Sequence, residues 1–290
     1  ERRGVTLRAG ERVREVVRGD GRFLLRTTRG ELAATRVVLA TGGLSLPKTG
    51  SDGHGLRMAE ALGPSVVPTT PALAPIVLSG AFHSPLSGVA QEAELTVRAG
   101  GRLLDRRSGS LLWTHFGVSG PAVLDVSRSW LRARLLGQDP VLEASLVPGR
   151  DFGAVEGALV RLAAESPRLS VPRALARFVP QAVAEAVAGE LSLADLPLGQ
   201  LRRDARRRLV HGLVARPLPV VDSRGYAFAE ATAGGVPLAE IDTRTMESRR
   251  APGLFLVGEM LDVDGRIGGF NFQWAWSSAW VAAGGLVRGL

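Results

Sequence analysis

Two stretches decide the fold: RVVLATGG at residues 36–43 and GLFLVGE at residues 253–259. Each is a short apolar run that stops at glycine. Such a run, bounded by turn residues, predicts a strand buried on both faces, as in α/β sheets covered by helices. Ligands of these sheets bind beyond the carboxyl ends of the strands. Glycine at that position lets the backbone approach a flat or phosphorylated group closely.

Before the first stretch, residues 5–8, 11–17, 22–27 and 32–33 form β-leaning runs separated by turns at Ala9-Gly10, Gly19-Asp20-Gly21 and Arg29-Gly30. They predict a four-run antiparallel meander. After it, residues 55–62 predict a short amphipathic helix ended by Gly63-Pro64, and Pro68, Pro71 and Pro75 mark an extended crossover. Residues 76–147 alternate in strand-like runs around a helix from about Pro121, a residue suited to a first helical turn. Helices follow in which Val155, Leu159 and Leu162 share one face, and others begin at Pro172 and Pro180. A further helix carries Leu198, Leu201, Ala205, Leu209 and Leu213 on one stripe and Arg202, Arg203, Arg206, Arg207 and Arg208 on the other. That arginine face reads as a solvated surface, with anion binding as the alternative. Strands are expected at 218–221, 226–229 and 236–241.

The 290 residues suffice for one large domain or two intertwined ones. With 45% hydrophobic and 22% charged residues the chain is globular, not disordered or fibrous. No apolar run approaches the ~20 residues of a spanning helix, so no membrane role is expected. The absence of cysteine excludes disulfides, thiolate metal sites and cysteine nucleophiles. No secretory leader is visible, which makes a cytoplasmic protein the default expectation. Lysine plus arginine is 36 against 28 acids, a net charge of +8, yet Lys48 is the only lysine. So complete a shortage, with basic residues spread along the chain, reads as compositional bias, and a nucleic-acid partner is not favoured.

In DVDGRIGGFNFQWAWSSAW (262–280), Gly268 and Gly269 precede an apolar helix whose first N–H groups and positive dipole end would face an anionic group. Ala275, Ser278, Ala279 and Ala282 form a small face for close packing, and Trp274, Trp276 and Trp280 are expected to fill the core. The strings VVLATGGLSLPKTGSDGHG (37–55), THFGVSGPAVLDVSR (114–128), TAGGV (232–236), TMESRRAPGLFLVGEMLDVDG (245–265) and GGFNFQWAWSS (268–278) resemble the FAD-dependent flavoproteins of the aminoacetone oxidase family. That family also contains bile-acid enoyl reductases. The resemblance runs the length of the chain.

It implies a Rossmann-like FAD domain of the glutathione-reductase type at 1–73 and 240–290. Inserted in it would be a β-barrel (74–150 and 214–239) with a helical part (151–213). It also implies that Thr41, Gly42 and Gly43 lie at the FAD-binding edge, with Gly258 and Glu259 near the ribityl or pyrophosphate portion. Asp264 would hold a turn or a ribityl hydroxyl, and Gly268, Gly269, Phe270 and Asn271 would contact the isoalloxazine ring. The helix start behind them would favour the reduced flavin anion.

The family's G-x-G-x-x-G turn, which binds the ADP half, is absent from this sequence. Glu1 opens the chain inside a strand-like pattern, so a missing βαβ unit and a fragment inactive by itself are expected. His54 stands where relatives often carry an acid. Lys48 and His115 are weak candidates for catalytic roles near the flavin; His83 and His211 have no supporting context, and no metal-ligand spacing is found. The expected function is hydride transfer between a small-molecule substrate and flavin N5, amine oxidation being one form. The alternatives are NAD(P)H-dependent reduction of an activated C=C bond, and a non-catalytic nucleic-acid or anion-binding module.

Overall fold

The computed structural model describes residues 4–288. In chain order these form β1 (Val13–Gly19), β2 (Arg22–Thr27), β3 (Gly30–Ala34), β4 (Val37–Leu39), α1 (His54–Ala61), β5 (Val67–Ala72) and β6 (Ile76–Leu78). Then come β7 (Ala90–Ala99), β8 (Arg102–Thr114), β9 (Gly117–Ser119), α2 (Pro121–Leu135), β10 (Pro140–Ser145), α3 (Phe152–Glu165), α4 (Val171–Leu175), α5 (Gln181–Glu190) and α6 (Arg203–Val214). The chain closes with β11 (Arg216–Leu218), β12 (Val220–Ser223), β13 (Ala231–Gly235), β14 (Ile241–Asp242), β15 (Glu247–Ser248), β16 (Leu254–Leu256) and α7 (Phe270–Arg288). Two compact units result, one from Glu1–Thr69 with Ala231–Leu290 and the other from Thr70–Glu230. Both crossings lie earlier in the chain than the 73/74 and 239/240 expected. Among the described residues no helix is long and apolar enough to cross a membrane.

The first unit is built on β4 and β16, which pair in parallel with Leu254 opposite Val37 and Leu256 opposite Leu39. β16 is buried on both faces. β4 is not: it ends the four-stranded order β14-β15-β16-β4, and Val38 is 39% exposed while Val37 and Leu39 are buried. An edge strand shields only one face, which corrects the expectation of double burial. The meander has three strands, β1-β2-β3, and residues 5–8 stay outside it. It is tied to α1 by the His54 imidazole, 2.8 Å from the Arg14 carbonyl oxygen, and by the Arg12–Asp52 ion pair. Val16, Phe23, Leu56, Ala59 and Met260 join the strands in one core.

The second unit holds a seven-stranded sheet in the order β11-β10-β7-β8-β9-β6-β12. Its two end strands, β11 and β12, are separated in the chain by Pro219 alone, so the first and last strands of the order lie next to each other. Pro121 opens α2, whose Val123, Val126 and Trp130 bury against the sheet. Asp151 caps α3 by accepting the Ala154 N–H at 2.7 Å. The expected stripe of the arginine helix holds, with Leu209 and Leu213 fully buried, although Leu198 belongs to a separate short turn. The strands expected at 226–229 and 236–241 are instead 3-10 turns at Tyr226–Phe228 and Leu238–Glu240. Gly225 and Pro237 sit at their starts and set turn geometry that a strand cannot continue.

At the centre of this unit Trp113 is wholly buried, edge-to-face with Phe82 at 5.5 Å, and its indole N–H has no partner. Removing the ring leaves a large void, whereas phenylalanine keeps most of the packing and discards an unsatisfied donor. Trp113→Ala should therefore cost about 3–5 kcal/mol, and Trp113→Phe well under half of that. Urea denaturation of the two variants checks the ratio.

Candidate functional site

The ends of β4 and β16 meet on one carboxylate. Glu259 follows β16 in a short 3-10 turn, Gly258–Met260. One of its oxygens accepts the Gly43 N–H at 3.0 Å, the other the Thr232 N–H at 2.8 Å. Thr232 continues the network: its hydroxyl oxygen accepts the N–H groups of Leu44 at 2.9 Å and Ser45 at 3.1 Å. The loop leaving β4 is thus held along three consecutive residues, Gly43, Leu44 and Ser45. Gly43 has no choice of side chain, because a Cβ would lie 2.5 Å from the Thr232 hydroxyl and 2.7 Å from the Glu259 carboxylate. Gly42 takes φ 72°, and the Thr41 hydroxyl donates to the Met260 sulfur at 2.7 Å.

Burial pushes the Glu259 carboxyl above its ordinary range. The hydrogen bonds from Thr232 and Gly43 oppose that rise, and the nearby Asp264 charge adds to it. Sequence reasoning placed Glu259 against a cofactor; its first-choice partners are the protein's own backbone donors. Thr232 escaped that reasoning as a site residue, and the TAGGV string was its only signal. Gly235 of that string is equally constrained, since a Cβ there would meet the Met260 carbonyl oxygen at 2.8 Å.

α7 locks the other side of the turn. The Ser278 hydroxyl oxygen accepts the Gly258 N–H at 2.9 Å, and the Trp274 indole donates to the Gly258 carbonyl at 3.1 Å. Ser278 and Ala282 are buried as the small face requires, but Ala279 is exposed. Trp274 is half-buried, while Trp276 and Trp280 are 75% and 83% exposed. These two are not core fillers: they lie on the helix face opposite the buried Ser278 and Ala282.

Gly268, Gly269 and Phe270 are exposed, with the Arg266 guanidinium over the Phe270 ring at 4.7 Å. The Asn271 amide is engaged on both sides by Gly265, accepting its N–H at 2.7 Å and donating to its carbonyl at 3.2 Å. It anchors the loop before α7. Asp264 is half-buried within that loop.

The weak candidates separate. Lys48 is exposed in the 3-10 turn Pro47–Thr49. His115 is an exposed residue of the second unit whose ring meets Phe116 edge-to-face. A cavity of about 330 Å³ in the first unit runs along β4 and is lined by Val37, Val38, Leu39, Thr41, His54 and Gly55, among others. Its wall mixes the aliphatic Val13, Val16 and Leu25 with the polar side chains of Glu11, Arg12 and Asp52, a lining that suits part of an organic group with polar edges.

Glutamine at position 259 keeps one acceptor but turns an NH₂ group toward a second backbone N–H. Glu259→Gln should lower stability at neutral pH by about 1–3 kcal/mol. The raised carboxyl holds its proton more tightly in the folded chain than in the unfolded one, so its contribution is complete at low pH and fades as pH rises through the folded titration. The stability gap between wild type and Glu259→Gln should therefore widen on acidification, as read by thermal melts across that interval.

Comparisons with known proteins agree with this architecture. The family model described as "HI0933-like protein Rossmann domain" matches residues 1–285. The "Ribosomal RNA dihydrouridine synthase" of Escherichia coli (strain K12) is 34% identical over 99% of this chain and 69% of its own length. The protein of the same name from Haemophilus influenzae is 32% identical over 92% of the chain and 64% of its own length. The "3-dehydro-bile acid delta(4,6)-reductase" of Clostridium scindens is 29% identical over 97% and 69%. The chain thus spans about two thirds of the length of these curated relatives. The bile-acid reductase agrees with the resemblance, and none of these three is named for aminoacetone oxidation. A parallel strand pair ending in clamped glycines, together with a match over nearly every residue, makes this chain a member of the HI0933-like Rossmann-domain family.

Proposed function

We propose that this chain belongs to an FAD-dependent reductase that saturates an activated C=C bond, with a uridine of ribosomal RNA as its substrate. The observation carrying this reading is the chemistry shared by the relatives' names. Dihydrouridine is uridine with its C5=C6 bond saturated, and a Δ(4,6)-reductase saturates a C=C bond of a steroid ring. Both are conjugated to a carbonyl, so both accept a hydride at carbon and a proton at its neighbour. Bound FAD would supply the hydride, replenished by a nicotinamide or an equivalent two-electron donor. This reading displaces amine oxidation. An enone of steroid type is the second reading, favoured by the Clostridium relative.

The residues fit such a group by their placement. At Gly42 and Gly43, past the end of β4, the space a side chain would take is filled from within by Ser51, Thr232 and Glu259, and the Glu259–Thr232 clamp fixes that backbone before any ligand arrives. Thr41 and Gly55 would line the wall of the bound group, and Asp264 stays near enough to Glu259 to feel its charge. The ADP half needs a further element. β4 ends the sheet with Val38 exposed, and parallel strands are ordinarily flanked on both sides. We propose that a G-x-G-x-x-G strand–turn–helix unit, missing from this sequence, adds beside β4.

The 290-residue chain should lose FAD on desalting, while a longer protein carrying that unit should retain it and appear yellow. Mass spectrometry of ribosomal RNA from cells lacking the gene should show one dihydrouridine fewer, restored by complementation. Unchanged RNA, with flavin of the longer protein reoxidised without oxygen by a conjugated steroid enone, would transfer the assignment to the second reading.

A further inference from the structure

We infer that the exposed face of α6 is a binding surface for the phosphate backbone of RNA, carried by Arg203, Arg207 and Arg208. This rests on the ribosomal-RNA reading above. Leu209, Val210 and Leu213 bury the inner side of the helix, leaving Arg203, Asp204, Arg207, Arg208 and His211 facing outward. Arg206, half-buried at the margin, is neutralised by Glu156 at 3.3 Å. Among the described residues, no ion pair or hydrogen bond engages the guanidinium groups of Arg203, Arg208 or the preceding Arg202.

Their placement does not help the helix itself. Arg202 occupies the N-cap position without a side-chain cap, and Arg203 opens the first turn. Cations there oppose the positive end of the helix dipole, and only Asp204 counters them. A local choice that disfavours its own element points to a demand from outside.

An aromatic group sits among these charges. Phe152, the first residue of α3, carries the Arg207 guanidinium at 5.4 Å and the His211 imidazole at 4.7 Å. That ring holds Arg207 near the surface plane. Arg203 lies one turn away, about 6 Å along the axis, so the two guanidinium groups form a short cationic row suited to successive phosphates. The guanidinium fork binds phosphate oxygens bidentately, which an ammonium cannot do.

The test measures binding of the whole chain to a short uridine-containing RNA hairpin across a salt series, with no flavin required. Arg203→Gln, Arg207→Gln and Arg208→Gln combined should weaken binding on the order of tenfold at low salt. The plot of log affinity against log salt should become shallower by about 2. The triple lysine variant should recover most of the slope. Removing the same charge at Arg22, Arg29 and Arg102 should leave the slope nearly unchanged. Should the glutamine triple fail to melt like wild type, Arg203→Gln with Arg208→Gln, which breaks no internal contact, gives the same reading at about two thirds of the effect. Equal affinity and slope in wild type and variant overturns the inference. So does an arginine dependence seen only with vesicles containing phosphatidylserine, which would make the face a membrane contact. Failure of RNA binding leaves the enone chemistry standing; loss of flavin reduction leaves the RNA surface standing.

Discussion

One half-buried carboxylate holds the candidate site together. Glu259 takes an N–H from the loop after β4 and another from β13, while following β16 directly in the chain. Three segments distant in sequence are thereby fixed to within hydrogen-bond tolerance at the carboxyl ends of a parallel strand pair. Burial raises the cost of the charge, and two charge-assisted N–H bonds offset it. Removing either donor would leave the carboxylate under-satisfied, so the loop conformation and the protonation state of Glu259 are coupled. That coupling makes the backbone rigid where a ligand would approach it.

The strands of this frame were legible in the sequence because apolar runs ending at glycine have few other readings. Residues 37–39 and 254–256 fall inside the two runs. The one-sided burial of β4 was not legible, because an edge strand and an internal strand carry the same apolar composition. The stripe of α6 was readable from spacing alone, and so was the small face of α7 at Ser278 and Ala282. The short segments at 226–229 and 236–241 were not. Over four to six residues an apolar run suits a 3-10 turn as well as a strand, and Gly225 and Pro237 decide the matter.

Gly42, Gly43, Gly258 and Glu259 stood out in the sequence and lie together at the strand ends, but the internal use of Glu259 was hidden. Its partner Thr232 lies 27 residues earlier in the chain, and no spacing rule links a threonine to a glutamate at that distance. Trp276 and Trp280 were misread for a related reason. Aromatic residues usually bury themselves, yet Phe272, Trp276 and Trp280 repeat every four residues on the outward side of α7, at 76%, 75% and 83% exposure. A contiguous aromatic stripe of this kind is characteristic of a surface meant to be covered.

A site assembled from backbone and glycine can orient a flat group but cannot select a substrate, since backbone N–H groups are the same in every protein. The relatives carry names for two very different molecules, a ribosomal RNA and a bile acid, on chains that align over nearly all of this one. Shared chemistry with divergent substrates requires that the reacting frame and the recognition surface be separable. The first unit carries the clamped strand ends and the open edge of β4. The second unit, inserted between the two halves of the first, carries α6 and its unpaired arginines. Changing an exposed helix face costs little stability, typically within about 0.5 kcal/mol per substitution. The clamp around Glu259 has no such freedom. Substrate divergence in such a frame is therefore expected on side chains of the inserted unit, while the strand ends stay under tight steric constraint.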